Sequence, residues 1–245
     1  MFRIKTVAKG LYLGVATVGL GTVYYKTNTL VGACYFGDLE RSKELATPEA
    51  ILAKDIISGK RPIEVAISTR NTRIIKLLAE IEPKSIDANA VMLAVRSEGI
   101  AIFQSLVESG LDPRTIIKND FPVLFYLIAC DRDDLLDVFL ESYDVDLEES
   151  CHGELPIIFA AKMKSYKCVN KLLPKVNLSK VDSSGEGVLH ILALDNELGS
   201  VKLTKDLVNQ QNLLGVSPFM YAVMSGQIEL GLVRSLVISN NMLPN

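Results

Sequence analysis

Two histidines and four cysteines are the residues of this 245-residue chain best suited to metal or nucleophilic chemistry, and their spacing favours neither. His152 and His190 lie far apart. Cys34, Cys130, Cys151 and Cys168 form no C-x-x-C pair, which argues against a tetrahedral zinc site. His152-Gly153-Glu154 has the H-x-E order of a zinc deaminase but lacks the P-C-x-x-C that would complete the metal shell. The chain has no G-x-S-x-G, no Walker loop and no G-x-G-x-x-G following a strand. Gly19-Leu20-Gly21 and Gly185-Glu186-Gly187 are too short to cradle a phosphate. Asp131 to Glu149 holds nine acids and one base, yet Gly at the sixth place and Glu at the twelfth, which a calcium loop needs, are missing. Its acids read instead as a solvated face. Lys162, Lys164, Lys167, Lys171, Lys175 and Lys180 follow, and they are placed to match those acids across neighbouring segments. The reading is of a chain with no catalytic residues, no metal and no cofactor.

The composition describes a folded domain. Apolar residues make up 49% and charged ones 22%, enough to bury a core. With 26 basic against 29 acidic residues there is no basic excess for nucleic acid. The charge is unevenly placed. Residues 1–37 carry Arg3, Lys5, Lys9 and Lys26 and no acid, leaving 22 basic against 29 acidic residues in the rest. Such asymmetry marks the N-terminus as a separate segment.

Within it, Gly10 to Tyr25 runs sixteen residues without a charge, and extension back to Val7, with Lys9 snorkelling, gives nineteen. At about 1.5 Å per residue, a helix of that length just crosses a hydrocarbon layer of about 30 Å. Gly10, Gly14, Thr17 and Gly21 fall on one face of such a helix. This small-residue stripe suits close packing on a partner helix in a membrane. The expectation is a basic N-terminus and single-pass anchor over residues 1–28, ahead of a domain over 29–245. A cleaved signal with Val31-Gly32-Ala33 as its site, a lipoprotein box ending at Cys34, a mitochondrial presequence and a buried helix of the domain are the competing readings.

The domain repeats itself. Gly59-Lys60-Arg61-Pro62-Ile63-Glu64-Val65-Ala66 is followed by Ile74-Ile75-Lys76-Leu77-Leu78. Gly153-Glu154-Leu155-Pro156-Ile157-Ile158-Phe159-Ala160-Ala161 is followed by Cys168-Val169-Asn170-Lys171-Leu172-Leu173. The first half recurs at Asp182-Ser183-Ser184-Gly185-Glu186-Gly187-Val188-Leu189-His190 and at Asn212-Leu213-Leu214-Gly215-Val216-Ser217-Pro218. Weaker copies run from Leu30, Val91 and Phe121. Equivalent positions fall at 29, 62, 90, 122, 156, 188 and 218. The sequence thus resembles the ankyrin repeat, with about seven degenerate copies over residues 28–240. Physical reasons agree with the resemblance. Proline suits a first helical turn, small alanines let helices stack, and the apolar pair with Leu-Leu makes a buried stripe. No single repeat buries its own face, so neighbours must stack.

The resemblance implies an all-α ankyrin-repeat solenoid of helix–turn–helix units with short β-hairpins, behind the N-terminal transmembrane-type helix. It implies that the His190 ring bonds neighbouring hairpin backbone. It also implies protein binding on the face made by hairpin tips and inner helices. Carried over by position, the candidates are Ser58, Lys60, Ser68 and Thr69, then Glu154, Lys162 and Met163. Next come Ser183, Ser184, Glu186, Leu194 and Asp195, and finally Leu213, Leu214, Val216, Met224 and Ser225. The last repeat and the apolar tail after it (Leu230, Leu232, Val233, Leu236, Val237, Ile238) read as the main binding surface. The expected partner is a protein, one subunit or more of a membrane complex reached through residues 7–25. The expected place is a membrane, mitochondrial first, bacterial or secretory otherwise. The other reading is a secreted or translocated soluble effector of the same fold that binds a host or partner protein.

Overall fold

The computed structural model describes residues 29–56, 58–118, 120–195, 197 and 205–226. The expected membrane helix with Gly10, Gly14, Thr17 and Gly21, and the apolar tail from Leu230, lie outside the described residues. Among the described residues no helix is long and apolar enough to cross a membrane. The chain divides into two compact units, one up to Val123 and one from Leu124.

The first unit holds α1 (Leu30–Phe36), α2 (Leu39–Leu45), α3 (Pro48–Leu52), α4 (Pro62–Ser68) and α5 (Thr72–Ile81). A 3-10 turn (Pro83–Ser85), α6 (Ala88–Arg96), α7 (Ala101–Glu108), β1 (Ile116–Lys118) and β2 (Phe121–Pro122) follow. Inner helices α1, α4 and α6 pack in file, and so do outer helices α2, α5 and α7. From α8 (Val123–Ala129) onward come α9 (Asp133–Ser142), α10 (Pro156–Lys162), α11 (Tyr166–Leu172), α12 (Val188–Leu194), α13 (Lys205–Asn209) and α14 (Pro218–Met224). In the second unit α10, α12 and α14 stack as inner helices, while α9 packs on α11.

Local chemistry sets these boundaries. Pro62, Pro156 and Pro218 open α4, α10 and α14, where the missing N–H costs nothing. Side-chain caps hold other first turns: Gly32 N–H donates to Thr29 Oγ1 at 2.9 Å, Ile74 N–H to Asn71 Oδ1 at 3.1 Å and Met220 N–H to Ser217 Oγ at 3.3 Å. Inner helices end on a left-handed residue: Gly37, Arg70, Asp131, Lys164 and Gly226 all have positive φ. The next amide then reaches back to a helix carbonyl, as Asn71 to Ala66 and Ser165 to Ala160, both at 2.9 Å. Asp131 takes this position although glycine is the residue that suits it.

The core follows the expected stripe. Ala33, Ala66, Ala90, Ala94 and Ala160 are fully buried on inner helices. Ile74, Ile75 and Leu78 are buried on α5, and Cys168, Val169 and Leu172 on α11. The turns before inner helices close by hairpin bonds, among them Asp55 N–H to Lys60 O, Cys151 N–H to Glu154 O, Asp182 N–H to Glu186 O and Asn212 N–H to Val216 O, each 2.9 Å. β1 and β2 form a short antiparallel pair of the same kind.

The register departs from the sequence reading in three places. Inner helices begin at Leu30, Ala88 and Val123 rather than at the equivalents 29, 90 and 122. Before α6 the chain takes the 3-10 turn, with Ile86 N–H bonding Pro83 O at 3.1 Å, in place of a hairpin. Asp87 then caps α6 directly, accepting from Ala90 N–H at 3.1 Å. The cause is Pro83, which cannot extend α5 and turns the chain at once.

Candidate interaction surface

Within each unit, two rows of side chains carry the expected site residues. One row comprises the hairpin tips. The other comprises the two residues before each left-handed helix end: Tyr35-Phe36, Ser68-Thr69, Ala129-Cys130, Lys162-Met163 and Met224-Ser225. Leu194 ends α12, with Asp195 after it. Each inner helix is about 10 Å long, so the rows run separately along its two ends.

Most polar candidates are tied to the fold. Ser68 Oγ donates to Glu64 O at 2.8 Å, and Thr69 Oγ1 to Val65 O at 3.0 Å. Ser225 Oγ donates to Ala222 O at 3.0 Å. Lys60 is exposed on its tip, and its N–H reaches Ser58 Oγ at 3.3 Å. The charged candidates link successive repeats. Lys162 Nζ lies 2.9 Å from Glu154 and 2.8 Å from Asp182. Asp195 receives Lys164 at 2.9 Å and the Tyr166 hydroxyl at 3.0 Å. Glu186 accepts from Tyr221 at 2.9 Å and from Asn212 Nδ2 at 3.3 Å. Burial and the bond to Asp195 push the Tyr166 phenol up to about 12.

The tips are rigid by the same economy. Asp182 Oδ1 accepts the N–H groups of Ser184 and Glu186 at 2.8 and 2.9 Å, and Asn212 Oδ1 those of Leu214 and Val216 at 3.0 and 2.9 Å. Adjacent tips touch through backbone, with Leu213 N–H on Ser184 O at 3.1 Å. Gly185 sits there at φ 74°, and a Cβ would come within 2.9 Å of Leu213 N. His190 is buried beneath them. Its Nδ1 accepts Gly187 N–H at 3.0 Å, so its Nε2 carries the proton and donates to Val216 O at 3.2 Å. The ring therefore bonds the next hairpin.

Acid–base matching between repeats is real but partial. Lys171 meets Asp137, and Lys180 meets Glu148 at 3.4 Å, joining the acidic stretch to the lysines after it. Lys162 and Lys164 reach forward instead, to Asp182 and Asp195.

The Asp182 link carries a pH dependence. Burial works against its carboxylate, but the Lys162 ammonium and the two backbone N–H groups outweigh it and hold the group below the ordinary carboxylate range. For Lys162 burial also opposes the charge, and the bonds to Asp182 and Glu154 leave it raised. The stabilisation from Asp182 is thus complete above the unfolded value near ~4 and lost as pH falls through the lower folded value; that from Lys162 is lost only in strong alkali. Asp182→Asn keeps the turn and loses the ion pair. It is expected to cost about 1 kcal/mol at pH 7, screening included, because Lys162 is 35% exposed. Melting curves should show that difference shrink on going from pH 7 to pH 3; a constant difference would contradict the assignment.

What remains for recognition is apolar. Leu213 and Leu214 on the last described tip are 78% and 83% exposed, and Val216 beside them is half-buried. On the second row Met163, Leu194 and Met224 are exposed on successive inner helices α10, α12 and α14. Ser183 and Ser184 add exposed hydroxyls on the neighbouring tip. The sequence reading passed over Tyr35, Phe36 and Ile56, all exposed on the corresponding rows of the first unit. Their signal was the row itself, since an aromatic pair before Gly37 falls where Ser68-Thr69 falls before Arg70. Cys130 stands exposed in the same row, next to Ala129. No disulfide joins the four cysteines, and burial pushes the thiols of Cys34 and Cys168 up to about 12. Among the described residues no group of three or more His, Cys, Asp or Glu is placed to hold a metal.

Comparison with known proteins fits this geometry. No family model matches the chain, and no curated protein matches it. Solved structures do match. The crystal structure of the ankyrin repeat domain of Bcl-3, a unique member of the IkappaB protein family, is similar at a TM-score of 0.62 and 18% identity, covering 79% of this chain and 92% of that one. The fold is that of an ankyrin-repeat domain.

Proposed function

We propose that this chain is a non-catalytic protein-binding protein, held at a membrane by residues 7–25 as an accessory or assembly subunit of a membrane complex. One observation carries the binding part. The charged groups of the inner face are spent on links between repeats, while large apolar side chains stand exposed on both rows of the second unit. Such exposure marks interaction sites more often than it arises without function. Ankyrin-repeat folds serve such binding by stacking units that present one continuous face. The Bcl-3 domain shares only the fold, and its own partners are not carried over. The anchor part rests on the uncharged run closed by Lys26 and on the small-residue stripe of Gly10, Gly14, Thr17 and Gly21. A basic, acid-free N-terminus favours a mitochondrial membrane.

The test is alkaline carbonate extraction of the full-length protein, followed by intact mass. Retention of uncleaved chain in the membrane pellet is the expected result. Release of uncleaved chain refutes insertion. Recovery of a soluble chain lacking residues 1–28 moves the protein to the secreted or translocated reading, with the same binding face.

A further inference from the structure

Methionine is unevenly placed on this protein. Four of its six methionines fall within the described residues, and three of those, Met163, Met220 and Met224, stand 48%, 45% and 75% exposed in the second unit. Met163 follows the last turn of α10, with its N–H held on Phe159 O at 2.9 Å. Met224 is the last residue of α14, and Met220 lies one turn before it. Between these helices α12 packs on both and ends at Leu194, itself 52% exposed. Met92, on α6 of the first unit, is half-buried.

A thioether suits an apolar contact, because its unbranched chain adapts to the partner and its sulfur is polarizable. The same sulfur, left in water, is open to peroxide. Its lone pair attacks one peroxide oxygen, so that an S–O bond forms and the O–O bond breaks. The displaced hydroxide takes the proton of the transferred hydroxyl and leaves as water. The sulfur gives up two electrons, and the peroxide gains them. The product sulfoxide is polar, and sulfoxide reductases return it to the thioether. None of the three side chains belongs to the buried core, so the change falls on the exposed face and not on the fold.

We propose that Met163 and Met224, with Met220 beside Met224, are oxidised to sulfoxides by hydrogen peroxide, and that this switches off protein binding at the apolar face of the second unit. The proposal rests on the protein-binding reading of that face. A thioether leaves water readily for an apolar contact. A sulfoxide in the same contact is stripped of its water with no donor facing it, which weakens the complex. Leu194, Leu213 and Leu214 are the other exposed side chains of this face, and peroxide leaves them unchanged.

Full-length protein, immobilised in mild detergent, is treated with hydrogen peroxide and then with dithiothreitol, which returns disulfides and sulfenic acids to thiols but leaves sulfoxides. Peptide masses read the oxidation of each methionine. The probe is the set of proteins that wild type retains from a detergent extract of its own membranes and Leu214→Asp does not. The expected result is oxidation of Met163 and Met224 about threefold faster than of Met92, retention of the set lowered about tenfold, and recovery after sulfoxide reductase. The triple variant Met163→Leu, Met220→Leu, Met224→Leu keeps volume and apolarity, and should hold the set through peroxide treatment. Oxidation no faster than at Met92 overturns the site. Retention of the set by oxidised wild type, its loss from the oxidised triple variant as well, or a melting temperature lowered by oxidation overturns the switch and leaves the binding face standing. Absence of any protein whose retention depends on Leu214 overturns the binding reading, and the switch with it.

Discussion

Ala160→Asp unfolds the unit that begins at Leu124. Ala160 is fully buried on α10, which stacks against α12, and its carbonyl accepts Ser165 N–H at 2.9 Å to close the helix. A carboxylate there meets packed helices with no Lys or Arg among their buried residues, which besides Ala160 are Pro156, Ile157, Ile158, Phe159 and Ala161 on α10 and Val188, Leu189, His190, Leu192 and Ala193 on α12. Stranding a charge or an unpaired acid in such a place costs several kcal/mol, against a typical total stability of about 5–15 kcal/mol. Stacked repeats draw their stability from their neighbours, so the loss spreads along the stack. The expected result is a melting temperature lowered by more than ~10 °C, or no cooperative transition at all. A melting temperature within about two degrees of wild type would show that Ala160 does not face the stack.

Much of this fold was legible because each repeat is built from local signals. Pro62, Pro156 and Pro218 announce first turns, and the structure places each at the start of its helix. Asp182 and Asn212 announce turns, and each closes one with its own carbonyl or carboxylate oxygen. The position of the candidate residues was legible for the same reason, since once the helix ends are fixed the two residues before them follow by counting. The errors also have physical causes. Pro83 resembles a repeat-opening proline, yet it opens a 3-10 turn, and the hairpin expected before α6 does not form. The roles of Lys162, Glu186 and Asp195 were invisible because these partners lie 20 to 35 residues away, in a neighbouring repeat. A repeat pattern tells which residues face the groove, but not which of them are consumed by stacking. Tyr35 and Phe36 were passed over because burial, rather than residue type, distinguishes an exposed aromatic from a core one.

The binding face itself is most exposed to test at Leu214 and Met224. Leu214 is 83% exposed on its tip, with its amide already held by Asn212, and Met224 is 75% exposed at the end of α14. Neither side chain supports the core, so Asp at either position should change stability by about 0.5 kcal/mol or less. In a complex the effect is different. A carboxylate placed against a desolvated apolar contact is costly, and interface residues of this kind carry about 2 kcal/mol or more each. The account therefore predicts that Leu214→Asp and Met224→Asp each weaken partner binding by about 30-fold or more while leaving the melting curve where it is. The decisive measurement is the dissociation constant of the partner captured with the full-length protein in mild detergent, titrated against wild type and both variants with thermal melts in parallel. Weakened binding at unchanged stability is the predicted result. Wild-type affinity in both variants, with the domain folded, would contradict it and place the recognition surface elsewhere on the chain.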